Sequence, residues 1–254
     1  MKVSIITPTL NSERFIKDCI ESVKNQSYLD IEHIIVDGGS DDSTLKIIKE
    51  YENTYNLKLI TGKDNGIYDA LNKGIKNASG EIVGILHSDD LYPNSEVIRK
   101  IVNIFQSQKI DSCYGDLYYV KENDLNKIIR YWKSGNYNRD KFKYGFMPPH
   151  PSFFVKKEIY EKYGAFDTSF KISGDYELIV RFLYKNSISC YYLPEVLVKM
   201  RIGGKSNKNL KHILIKMKED YKVIKKYNLG GIDTLLLKSF IKIPQFFKKT
   251  IQSK

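Results

Sequence analysis

Three observations predict an α/β fold, a mostly parallel sheet with helices on both faces. Short apolar or β-branched runs alternate with amphipathic stretches over the first 120 residues, polar clusters follow most of those runs, and 254 residues at 42% hydrophobic content suffice to bury a core. The strand-like runs are Val3–Thr7, His33–Val36, Leu57–Thr61, Ile82–Leu86 and Asp111–Tyr114. Between the first two, Phe15, Ile16, Cys19, Ile20 and Val23 recur at three and four, on one helical face. Ser43-Thr44 is placed to cap a helix carrying Leu45, Ile47 and Ile48. Past residue 120 the pattern is less regular, with polar and aromatic loops around Trp132–Phe146, a strand at Ser152–Val155 and a helix from Asp175 to Tyr184. Residues 208–228 and 232–250 read as basic helices separated by Gly230-Gly231, with Pro244 kinking or ending the second. The chain thus divides into a domain over 1–204 and a basic helical extension over 205–254.

The charge is divided in the same way. Of the net +11, residues 1–198 carry 26 basic and 27 acidic side chains, whereas residues 199–254 carry 15 and 3. A basic tail on a neutral body suggests docking to an anionic membrane surface; nucleic acid would need a cationic face on the domain itself, so no nucleic-acid partner is expected. Three widely spaced cysteines exclude a disulfide framework and a CxxC metal site. The short apolar stretch before Pro8 is no signal-peptide core, and no run approaches a bilayer span. The expected address is the cytosol, or else the cytosolic (inner) face of the cell membrane as a peripheral protein.

In open sheets of this kind ligands bind beyond the carboxyl ends of the strands. Four polar clusters lie there: Thr7–Asn11, Asp37–Asp42, Lys63–Gly66 and His87–Asp90. Adjacent carboxylates at a strand end, Asp89 and Asp90, suit either a hard divalent cation or a solvated turn capping the helix after Pro93. Asp37-Gly38-Gly39-Ser40 is either a backbone approach to a flat ligand or an ordinary turn. Pro8-Thr9 stands where a dinucleotide-binding turn would place glycines, which argues against an NAD enzyme.

Ile5–Asn11, Val36–Thr44, Asp64–Gly74 and Leu86–Asp90, in that order and spacing, followed by Pro149–Phe154 and Ile172–Leu178, resemble the family 2 glycosyltransferases of GT-A fold over residues 1–204, most closely bacterial enzymes of capsule, exopolysaccharide or lipopolysaccharide assembly. The resemblance implies inverting transfer of a hexosyl or N-acetylhexosaminyl group from a nucleotide diphosphate sugar, commonly a UDP-sugar, to a hydroxyl of a glycan or polyprenyl-linked acceptor. It implies Mn²⁺ or Mg²⁺ held by Asp90, ribose contact by Asp89, base recognition by Asp37 with Pro8 and Thr9 lining the pocket, and Asp64 close by. Asp175 takes the position of the catalytic base, at a helix start whose donors would keep it ionised.

Two departures stand out. Ser88 occupies the first acid of a strict Asp-x-Asp, and Gly174 replaces the acid that often precedes the base, which leaves Glu177 as an alternative to Asp175. His150, between prolines, either orients the acceptor or is a hydrogen-bonded core histidine. Arg201 and Lys205 flank glycines in a segment resembling a lid that closes on the donor diphosphate, or else a solvated basic loop. From Ile232 onward lysines interleave with Leu, Ile and Phe, as in a helix that lies in a lipid interface or packs on the domain with its lysines solvated. Two other classes compete: a nucleotidyltransferase, which would carry a Gly-rich basic loop where Thr7–Asn11 stands, and a non-catalytic sugar-nucleotide or membrane-binding module.

Overall fold

The computed structural model describes residues 1–202 and 210–240. Lys205, most of the lid-like segment, and the far end of the second basic helix with Pro244 lie outside them.

Strands β1 (Val3–Thr9), β2 (Ile31–Asp37), β3 (Leu57–Thr61) and β4 (Ile82–Ile85) form a parallel half-sheet in the order β3-β2-β1-β4. The β1–β2 register pairs Val3 with Ile31 and Thr9 with Asp37, so the polar ends of both strands emerge together. Helices α1 (Ile16–Lys24), α2 (Thr44–Lys49) and α3 (Ile67–Asn77) connect them, and α4 (Val97–Ser107) follows β4. Strand alternation sends Ile5 to one face and Ile6 to the other. Ile5 joins Cys19, Val23, Ile98 and Ile101 of α1 and α4, whereas Ile6 joins Leu71 and Ile75 of α3. Ser43 stands at the start of α2, but its hydroxyl makes no capping bond; Asp42 Oδ1 accepts the Thr44 N–H instead at 2.9 Å.

The second half contains two strands that the sequence pattern leaves as irregular chain. β5 (Ser112–Lys121) is joined by β7 (Phe153–Lys156) along its first half and by β6 (Asp124–Trp132) along its second, both antiparallel. β8 (Cys190–Arg201) runs parallel to β5 from Ser112↔Cys190 to Val120↔Arg201. β6 is largely solvated and shows no clean alternation. β8 contains Pro194 and shifts register opposite Gly115, where a proline is tolerated because the ladder is already interrupted.

α5 (Lys157–Tyr163) and α6 (Gly174–Ile179) follow, and α6 continues as a π-helical turn over Val180–Lys185. The described part of the extension is α7 (Leu210–Lys226) and α8 (Ile232–Phe240). Val223, Ile224 and Leu229 enter the same apolar core as Tyr176, Ile179 and Phe182, so this part packs into the domain.

Candidate active site

The carboxyl ends of β1, β2 and β4 bring three of the predicted clusters to one edge of the sheet. Pro8 and Thr9 end β1, and the Thr9 hydroxyl is buried without a hydrogen-bond partner. Asp37, fully buried, closes its own turn: Oδ1 accepts the N–H groups of Gly39 and Ser40 at 3.0 and 2.9 Å, and Oδ2 accepts the Ser40 hydroxyl. Both oxygens are therefore already engaged, and base recognition would use their remaining lone pairs. Asp64 abuts this turn; a Cβ on Gly38 would lie 3.1 Å from its Oδ2. Lys73 binds Asp64 and also approaches Asp69 at 3.4 Å, so this lysine bridges two acids.

After β4 the chain turns through His87, Ser88, Asp89 and Asp90. Ser88 bonds the Ser12 hydroxyl at 2.9 Å, tying the turn to the loop after β1. Asp90 is fully buried, and neither carboxylate oxygen has a hydrogen-bond partner. The solvated-turn alternative for this pair does not describe it. Burial, followed by repulsion from Asp89, pushes the Asp90 carboxyl well above its usual range against the pull of the Arg201 backbone N–H and charge; burial also raises Asp89, against the pull of Arg201. A buried carboxylate without a partner is costly unless a cation or donors complete it.

Arg201 does not reach into open space. It is 4% exposed, donates to the carbonyls of Asp89 (2.8 Å) and Glu122 (3.3 Å), pairs with Asp18, and lies over the Phe15 ring. As placed, it braces the Asp89-Asp90 turn against β8 and α1. Those partners are distant in sequence, which is why the sequence suggested a free cation.

Asp175 lies in the first turn of α6. His150 Nδ1 is 3.0 Å from its Oδ2, and His150 Nε2 is 3.0 Å from Nε2 of His87. A chain of contacts thus runs from the loop after β4 through two histidines to Asp175. Burial pushes the Asp175 carboxyl up, but His150, with Lys216 and Lys238 further away, more than offsets it and holds the group well below the carboxylate range. The sequence reading credited ionisation to the helix start; the structure credits a neighbouring imidazole. Burial lowers His87 to about 3, so it is a neutral partner.

Tyr68 explains the departure at Gly174. A Cβ there would lie 2.8 Å from the Tyr68 ring, whose hydroxyl accepts the Gly174 N–H at 2.9 Å and donates to the Ile172 carbonyl at 2.6 Å. Glu177, the alternative base, faces away from this chain of contacts: its carboxylate is 1% exposed and is held by Arg181 at 3.0 Å, Lys226 at 2.9 Å and the Tyr227 hydroxyl. The Asp90 N–H bonds the His87 carbonyl at 2.9 Å, so the chain of contacts that ends at Asp175 begins in the turn that carries Asp90.

The sequence reading missed Glu219. This α7 carboxylate accepts the N–H groups of Lys171, Ile172 and Ser173 at 2.8, 2.9 and 2.9 Å, fixing the segment that leads into α6. An acid beside Asp220 in an otherwise basic helix gives no sequence signal of such a role.

The family model described as Glycosyl transferase family 2 matches residues 4–164, more than half of the chain and every strand-end cluster above. The chain belongs to glycosyl transferase family 2. A PGL/p-HBAD biosynthesis glycosyltransferase of Mycobacterium tuberculosis is 27% identical over 208 residues, covering 80% of this chain and 78% of that protein. The fold is that of GT-A glycosyltransferases. The crystal structure of Staphylococcus aureus TarS 1-349 in complex with UDP-GlcNAc superposes with a TM-score of 0.72 at 20% identity, covering 99% of this chain and 74% of that one. The mannosyltransferase PcManGT from Pyrobaculum calidifontis, in complex with GDP-Man and Mn2+, gives 0.68 at 18% identity over 96% of this chain and 70% of that one.

Among the described residues no group of three or more His, Cys, Asp or Glu side chains is arranged to hold a metal ion. Asp90 nevertheless fits one. Its two unpartnered oxygens are hard donors in a buried site, and a donor diphosphate would contribute the further oxygens that such a cation requires.

Proposed function

We propose that this family 2 enzyme transfers a hexosyl or N-acetylhexosaminyl group, with inversion, from a nucleotide diphosphate donor to a hydroxyl of a glycan or polyprenyl-linked acceptor. The setting is surface polysaccharide synthesis at the cytoplasmic face of the cell membrane. A UDP-sugar is the first donor to test, because TarS was crystallised with UDP-GlcNAc; PcManGT, with GDP-Man, makes guanine the second. The observation that carries this reading is the pairing of opposites across the His87–His150 link, an unpartnered buried Asp90 in the turn at one end and an Asp175 kept ionised by His150 at the other.

The chain's own residues divide the work. Pro8, Thr9, Asp37 and Asp64 line the nucleotide end, and Asp89 stands at the ribose. Asp175 accepts the acceptor's hydroxyl proton as the oxygen attacks the anomeric carbon; the bond to the diphosphate breaks and its electron pair leaves on the diphosphate oxygen. One face of the sugar is attacked as the other loses its substituent, which gives inversion. Mn²⁺ or Mg²⁺ held by Asp90, when bound, supplies Lewis-acid stabilisation of the leaving diphosphate. Arg201 acts indirectly, by fixing the Asp89-Asp90 turn, and Lys205 remains the candidate cation of the lid.

The test incubates purified protein with a panel of nucleotide sugars and Mn²⁺ or Mg²⁺, with and without lipid-linked acceptor. Metal-dependent, acceptor-stimulated release of nucleoside diphosphate is expected. Release of pyrophosphate from a nucleoside triphosphate and a sugar phosphate would instead identify a nucleotidyltransferase.

A further inference from the structure

α8 is oriented against the usual rule for a surface helix. It buries Thr234 (1% exposed) and Lys238 (3%) while turning Ile232 (64%), Leu236 (48%), Leu237 (42%) and Phe240 (59%) outward. The inward lysine is explained by its partners: Nζ lies 2.7 Å from Asp220 and 3.2 Å from the Tyr176 ring centre. The outward leucines have no such explanation within the described residues. α7, packed against α8, repeats the pattern along its first half, exposing Ile213, Leu214 and Met217 while Asp220, Val223 and Ile224 are buried.

Spacing orders the exposed side chains. Leu214 and Met217 stand three residues apart and so share one line along α7, which half-buried Tyr221 continues four residues on. Lys211, Lys218 and Lys225 recur every seven residues on the neighbouring line. Single exposed apolar residues are ordinary, but seven on two adjoining helices, bordered by lysines, form an interfacial pattern.

We infer that the outward faces of α7 and α8 lie on an anionic lipid surface, with the apolar side chains in the headgroup boundary and the lysines on the phosphates. Charge selects this occupant. Residues 199–254 carry 15 basic against 3 acidic side chains, which matches an anionic bilayer and opposes face-to-face packing of a second copy. No helix among the described residues is long and apolar enough to cross a membrane, so the helices lie along the surface. Docking also has a consequence for the site that rests on the transferase reading above. Glu219, on α7 itself, holds the backbone of residues 171–173 just before Asp175, so the docked helix and the segment that leads to the base are directly linked.

The test is cosedimentation of the purified full chain with vesicles of equimolar phosphatidylglycerol and phosphatidylcholine, against phosphatidylcholine alone. Binding to the anionic vesicles only, weakened by salt, is expected. Replacing Lys218 and Lys225 together with Gln should lower that partition about 30-fold, the effect of two lysines at a charged surface. Leu214→Glu with Met217→Glu should lower it about tenfold or more while leaving thermal unfolding and donor hydrolysis without acceptor at wild-type values. Equal binding to both vesicle types, binding to neither, or conversion of a dimer to a monomer by the Glu pair would overturn the inference; the last would assign the face to a second copy. Vesicle binding that persists when no nucleotide sugar is hydrolysed would sink the transferase reading and leave docking intact.

Discussion

Asp90 and Asp175 occupy opposite electrostatic environments, and each makes a separate prediction. Asp90 is a fully buried acid with two unpartnered oxygens. Asp90→Asn should abolish metal-dependent turnover yet raise the thermal midpoint of the metal-free protein by a few degrees, because about 1–2 kcal/mol of uncompensated burial is relieved. Release of nucleoside diphosphate with and without Mn²⁺ checks the first half and differential scanning fluorimetry the second, in which only the wild type should gain stability from the ion. Asp175 is faced by His150, His87, Tyr68, Lys216 and Lys238, and among these His150 does most to keep it ionised. Its depressed carboxyl stays charged as pH falls well below neutral, so the wild-type acid limb of kcat should not belong to it. His150→Ala leaves burial to raise Asp175, so an acid limb belonging to Asp175 should emerge at higher pH and kcat should fall, with the donor KM unchanged; His150→Asn, which keeps a donor near Nδ1, should restore part of the loss. The carboxylates were legible in the sequence because each follows an apolar run or opens a helix. The two-histidine link was not, since His87 and His150 are 63 residues apart and only the sheet brings them together.

At the scale of elements, α7 serves as a scaffold for the base. Glu219→Ala would leave three backbone N–H groups of residues 171–173 without their acceptor and loosen the entry to α6. Transfer should fall about tenfold or more while donor affinity measured by titration calorimetry stays unchanged, because the nucleotide end rests on β1 and β2. An equal loss of donor affinity would show that α7 supports the whole cleft. β1 to β4 and their helices were readable because a parallel sheet buried on both faces writes near-continuous apolar runs. β6 and β8 were not, one being solvated and the other interrupted by Pro194 opposite a register shift, and with them the environment of Arg201 was hidden.

On the scale of the whole molecule, the uneven charge has a structural counterpart. The acids gather at the strand ends and the basic excess lies in the C-terminal segment, as the sequence arithmetic indicated. What arithmetic could not show is that one of those lysines faces inward. Lys238 and Lys216 converge on buried Asp220, at 2.7 and 2.8 Å, and Thr234 bonds the Lys143 carbonyl at 2.9 Å. Truncation after Gly231 is therefore more than removal of an anchor. It leaves Asp220 with Lys216 alone and should cost about 1–3 kcal/mol, measured as a lower urea midpoint, in addition to any loss of vesicle binding.

The central claim is that Asp175 accepts the acceptor proton in an inverting transfer, and one comparison tests it. With a donor identified from the panel, Asp175→Asn and wild type are compared for donor affinity and for single-turnover transfer to acceptor in saturating Mn²⁺. The account predicts unchanged affinity and a rate lowered about 10²–10⁴-fold, with the wild-type product inverted at the anomeric carbon. Transfer by Asp175→Asn at the wild-type rate, or a product that retains the donor's configuration, would contradict it.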